Sequence, residues 1–144
     1  MKARLAVSAL TAALAISLGG LALAPAALAS PAHAQAPAPS IKDAPAFDAS
    51  GTWGITQSNG HHPTVHVSQD SQGKLSGTAS FGNITGTFEQ GFVDGTYIEF
   101  VISWSNGSKG RYIGSLDGDR RLSGVSTDLA NPESQATWVS NRTF

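Results

Sequence analysis

No cysteine occurs in the 144 residues and methionine occurs once, so neither disulfides nor thiolate metal sites can hold or arm this chain. A domain of this size must instead rely on packing, sheet closure or association with further copies. Charged residues make up only 13% and the formal net charge is -1. Removing Lys2 and Arg4 with a leader would take the charge to about -3, which argues against nucleic acid as a partner because phosphate binding needs a concentrated basic face. No segment after the leader keeps a helical period. There is no Gly-x-Ser-x-Gly elbow and no Ser, His, Asp set at motif spacing, so no catalytic residue is expected and the protein reads as a non-enzyme without a cofactor. His61 and His62 fall in a turn and His66 on a strand, with no supporting carboxylate nearby. They read as solvated side chains, not metal ligands.

What is present begins with an export signal. Lys2 and Arg4 precede an apolar run over residues 5–24, followed by small-residue cleavage candidates at 27–29 and 32–34. Residues 1–34 are therefore expected to be a signal peptide cut near 29/30 or 34/35, giving a secreted product, extracellular or periplasmic. An uncleaved membrane anchor is the alternative, but Gly19, Gly20 and Pro25 interrupt the run. Residues 35–47 are rich in Ala and Pro, including Pro37, Pro39 and Pro45, and read as a disordered tether. Residues 48–144 remain for one domain.

That domain alternates in short segments cut by turn signals. Strands are expected at 51–57, 64–69, 75–81, 84–90, 96–104, 110–116, 121–128 and 135–143. Asn59-Gly60, Gly82-Asn83, Asp94-Gly95, Asn106-Gly107 and Asp117-Gly118 predict tight hairpins of primed type, so successive strands are neighbours. Along the fifth strand Ile98, Phe100, Ile102 and Trp104 share one face, and Glu99, Val101, Ser103 and Ser105 the other. A flat sheet of this length would leave two edges and one face uncovered. An all-β, eight-stranded antiparallel up-and-down barrel covers both.

Four stretches in order then resemble the avidin and streptavidin family, and more loosely the lipocalin-like barrels. They are Gly51-Thr52-Trp53 in the first strand, Leu75-Ser76-Gly77-Thr78 in the third, Trp104-Ser105-Asn106 before a turn, and the ending Thr143-Phe144. The resemblance implies the barrel and a small ligand inside it. Biotin itself is not implied, because Ile55 stands where the family has Asn, Ala79 where it has Tyr, and Arg142 where it has the closing-strand Asp. Aligned from the C-terminus, the family's lid tryptophan falls on Ser134. An acceptor has been exchanged for an obligate donor at Arg142.

Trp104, Ser105, Asn106, Phe81, Phe88, Trp138 and Arg142 are the candidate ligand residues, and Gly51, Trp53 and Arg142 the candidates for closing the barrel. Two readings of Arg142 stay open. It stacks on Trp53 as a latch between first and last strands, or it points inward to grip an anionic head group. The aromatic residues equally either line a pocket or fill the interior. The leading functional expectation is a small, partly apolar ligand. The alternative is a secreted protein partner, as for an inhibitor of a secreted hydrolase. Association into a homo-oligomer is compatible with either, and no membrane contact is expected after signal cleavage.

Overall fold

The computed structural model describes residues 41–144; the expected signal peptide and the first part of the tether lie outside the described residues. Eight strands follow in order: β1 (Gly51–Gln57), β2 (Thr64–Gln69), β3 (Leu75–Phe81), β4 (Ile84–Asp94), β5 (Tyr97–Trp104), β6 (Lys109–Leu116), β7 (Arg121–Asp128) and β8 (Gln135–Thr143). Each pairs antiparallel with the next, and β1 returns to β8 to close an up-and-down barrel. At the seam β1 divides its partners. Gly51 to Gly54 face Val67 to Thr64 of β2, while Ile55, Thr56 and Gln57 face Ser140, Val139 and Trp138 of β8.

The expected strands are all there, with one extension. β4 runs on to Asp94 because the register shifts between Phe88 and Gln90, a bulge that lets Glu89 leave the ladder and adds local bend.

The turns differ more. Gly82 and Gly95 have φ of 57° and 56° while the residue after each does not, the pattern of a primed turn with glycine at its first central position. Four further hairpins, all but the longer β7–β8 connection, are type I turns closed by one left-handed residue. In these, Gly60 N donates to Gln57 O, Gly73 N to Asp70 O, Gly107 N to Trp104 O and Arg120 N to Asp117 O. The Asp117-Gly118 pair therefore misled: the left-handed position is Arg120, at φ 58°, and not Gly118. The hydrogen bonds of Asp117 Oδ1 from Asp119 N and Arg121 N hold that turn instead.

Inward parity sets the core. Trp53, Ile55, Val65, Val67, Leu75, Phe88, Ile98, Phe100, Ile102, Leu122 and Trp138 are buried within it. Phe88, Phe100 and Tyr112 form a parallel ladder, with ring centroids 5.0 and 4.9 Å apart and planes within 7°. Trp138 fits beside it because position 114 is glycine, where a Cβ would come 2.6 Å from the indole Cζ2. Val101, on the outward side of β5, is also buried, at 3% exposure.

One end of the barrel is stoppered. The expected tether was to run to residue 47, yet its described part, residues 41–47, is fastened across this end. Lys42 N and Asp43 N donate to Asp94 Oδ1 at 3.1 and 2.6 Å, and Ala46 N donates to Gly95 O at 2.8 Å. Phe47 is buried with its ring edge on Phe144, 5.7 Å away. A low overall apolar content hid the one aromatic that suffices to dock the segment. Gln69 completes the stopper, its amide accepting from Ala49 N and donating to Phe47 O.

Arg142 belongs to this end. Its Nη2 donates to Ser50 O at 3.1 Å and, more weakly, to Asp48 O at 3.5 Å. The guanidinium lies 4.4 Å from the centroid of Phe144, and Phe144 in turn meets Trp53 edge-on at 5.3 Å. The cation that the sequence pairs with Trp53 thus stacks on Phe144, which stands between them. Trp53 is satisfied by the backbone, its Nε1 donating to Ala49 O at 3.0 Å.

Candidate functional site

The opposite end, framed by the turns after β1, β3, β5 and β7, opens into a cup of about 320 Å³. Its walls are Pro63, Phe81, Ile84, Trp104 and Tyr112, and its rim carries Asn59, Asn106, Ser108, Lys109, Asp128 and Gln135. An apolar wall with a few placed polar groups is the ordinary make-up of a small-molecule site.

Each wall residue has a local cause. Trp104 ends β5 at inward parity, and Gly86 across the ladder leaves it room, since a Cβ there would approach the indole Cε3 to 3.0 Å. Phe81 ends β3 just before the Gly82 turn, and the His61 ring rests on it with centroids 4.9 Å apart. Asn106 shapes the rim because its Oδ1 accepts from both Ser108 N, at 3.1 Å, and Ser108 Oγ, at 2.8 Å. Lys109 is held outward by Glu89 at 2.7 Å.

The floor is polar and buried. Ser126 Oγ donates to Gln57 Oε1 at 2.7 Å, and Gln57 Nε2 reaches the Tyr112 hydroxyl at 3.4 Å. Ser126 Oγ also lies 3.2 Å from Ala136 O. Gln57, Ser126 and Tyr112 are 7%, 7% and 4% exposed. Burial pushes the Tyr112 phenol up to about 12, only partly offset by the Gln57 contact, so it stays protonated through the physiological range.

Of the residues singled out in the sequence, Phe81, Trp104 and Asn106 line the cup together. Phe88 and Trp138 lie beneath it in the packed core. Trp138 donates from Nε1 to Ile113 O at 3.2 Å. Ser105 turns away to accept from Thr85 N, and Arg142 with Gly51 sits at the stoppered end. The interior is accordingly both filled and hollow, packed below Tyr112 and open above it. His61, Gln57, Tyr112 and Ser126 were missed, although inward parity with Trp53 and Ile55 marks Gln57. His66 faces the outside, its Nδ1 2.7 Å from Thr52 Oγ1. Among the described residues no group of three or more His, Asp or Glu side chains could hold a metal.

Comparison with known proteins bears on the fold. No family model matches the chain, and no curated protein matches it. Among solved structures it is similar to a redesigned β-barrel, at 18% identity and a TM-score of 0.52, over 66% of this chain and 91% of that one. This chain is an eight-stranded antiparallel β-barrel, as that neighbour is a β-barrel. At that identity the likeness speaks for architecture alone.

Proposed function

We propose that this is an exported, non-enzymatic barrel that binds a small, partly apolar molecule in its open cup. The observation that carries the reading is the asymmetry of the interior. Core packing stops at Tyr112, and the space above it is walled by Trp104 and Phe81 over a buried polar floor. A domain needing only stability would fill that volume, because each missing side chain forfeits packing energy. Biotin is not the ligand we infer. Ile55 and Ala79, which replace the family's Asn and Tyr, are buried and apolar, and Arg142 is spent on the other end.

Trp104 reports on the cup, so a library of small metabolites, biotin included, is expected to yield ligands that shift its emission and raise the melting temperature. Trp104→Ala should weaken those ligands by roughly tenfold or more, the loss of one large aromatic contact. A silent screen, with the protein instead inhibiting a secreted hydrolase, would replace the small-ligand reading by the protein-partner one.

A further inference from the structure

We infer that the innermost atom of the ligand is an uncharged hydrogen-bond acceptor, a carbonyl, ether or ring nitrogen, received by the hydroxyl of Tyr112. The inference rests on the cup being a ligand site and names the chemistry that the cup selects.

The direction of the floor's hydrogen bonds decides it. The Gln57 amide is placed with Oε1 2.7 Å from Ser126 Oγ, nearer than the competing acceptor Ala136 O at 3.2 Å, and in that orientation only the hydroxyl can donate across the short contact. The hydroxyl therefore donates to the amide oxygen, which turns the amide nitrogen toward Tyr112, where it donates to the phenol oxygen at 3.4 Å. The phenol proton is then left without an acceptor among the described residues, at the bottom of a cup. Its ring cannot turn aside, being stacked on Phe100 at 4.9 Å and flanked edge-on by Trp138 at 6.4 Å. A buried donor of this kind is costly until something accepts from it.

Charge is excluded by the same surroundings. Among the described residues the lysine or arginine that lines the cup is Lys109, at the rim and engaged by Glu89. An anionic tip would be desolvated against Tyr112 and Gln57 with no counter-charge. A cationic or N–H tip would meet the Gln57 and Tyr112 donors head-on. Above the floor, Phe81 and Trp104 favour a flat apolar body.

Four probes of similar size test this: 1-indanone with an acceptor, indane with no polar atom, indole with a donor, and 1-indanecarboxylate with a charge. Each is titrated into the full folded domain and into Tyr112→Phe, which keeps the ring stack, and the shifts of the Trp104 and Trp138 indole N–H resonances are followed by NMR. The wild type is expected to prefer 1-indanone to indane by about 3- to 10-fold, as one net hydrogen bond allows, with the carboxylate weakest. In Tyr112→Phe that ratio should fall to about one while indane affinity holds. Equal binding of indanone and indane, survival of the ratio in Tyr112→Phe, or a preference for indole would each overturn the acceptor inference. The last would mean that the Gln57 amide is turned over and the floor accepts. In all three outcomes the cup remains a ligand site. If none of the four moves either indole resonance, the ligand site fails and the acceptor fails with it.

Discussion

The two ends of this barrel are built from the same turn chemistry and put to opposite use. At one end an N-terminal segment, Phe47, Phe144 and Arg142 close the interior. At the other, turns of the same type I form carry Asn59 and Asn106 around a hollow. The difference is what lies between the strands. The closed end has extra chain to fold over it, with apolar bulk and a cation that caps backbone carbonyls. The open end has no such covering segment among the described residues, and polar turn residues such as Asn106 and Ser108 bond to one another at its rim. Packing is concentrated in one half and the hollow lies in the other.

That division can be tested from both sides. The largest effect should come from Trp53→Ala, which removes a ring 2% exposed and in edge contact with both Phe100 and Phe144. Chemical denaturation should show a loss of about 3–5 kcal/mol, and a loss under about 1 kcal/mol would mean that the stopper is not the stable half. Arg142→Met should cost less, about 1–2 kcal/mol. It removes the stack on Phe144 and the bonds to Ser50 O and Asp48 O, but also takes away a buried Nε that has no partner. Ligand affinity at the cup should change by less than about twofold, within the additivity of distant sites. Lost binding with intact stability would erase the contrast between the ends and restore Arg142 as a ligand contact. The smallest effect sharpens the comparison within the closed end. Arg120→Gly relieves a left-handed backbone at φ 58° and should stabilise by about 0.5–1 kcal/mol, net of glycine's greater freedom when unfolded. An unchanged or lower melting temperature would show the strain to be absent.

Much of this was readable beforehand because parity and turn residues are local. Ile98, Phe100, Ile102 and Trp104 point inward as their alternation requires, and the turns at Gly60, Gly82, Gly95, Gly107 and Asp117 fall where the Asn-Gly, Gly-Asn and Asp-Gly pairs mark them. Turn type was not readable from the pairs alone, since Asn-Gly serves a type I turn with a bulge as readily as a primed turn. Trp104 and Phe81 were singled out as aromatics and Asn106 as a polar group beside Trp104, and all three lie at the cup. Gln57 was not, because a polar residue closing an apolar alternation looks like a strand's end, and Tyr112 and Ser126 were not, because they lie inside strands whose neighbours are small or polar. Only the meeting of β1, β6 and β7 across the barrel reveals a chain of hydrogen bonds. The partner of Arg142 depended on the path of Phe144, a tertiary matter. The docking of residues 41–47 depended on Phe47 finding a cleft that composition does not display.

The divided pairing of β1 has a kinetic consequence. Each of the other junctions joins strands adjacent along the chain, so hairpins can form and zip locally. The β1 to β8 seam joins Gly54 to Asn141, 87 positions apart, and must overcome the entropy of closing nearly the whole domain into a ring. The seam is thus the natural last step of folding and first step of opening. The clamp of Arg142 on the carbonyls ahead of β1 would then govern how long the barrel stays shut more than how fast it forms.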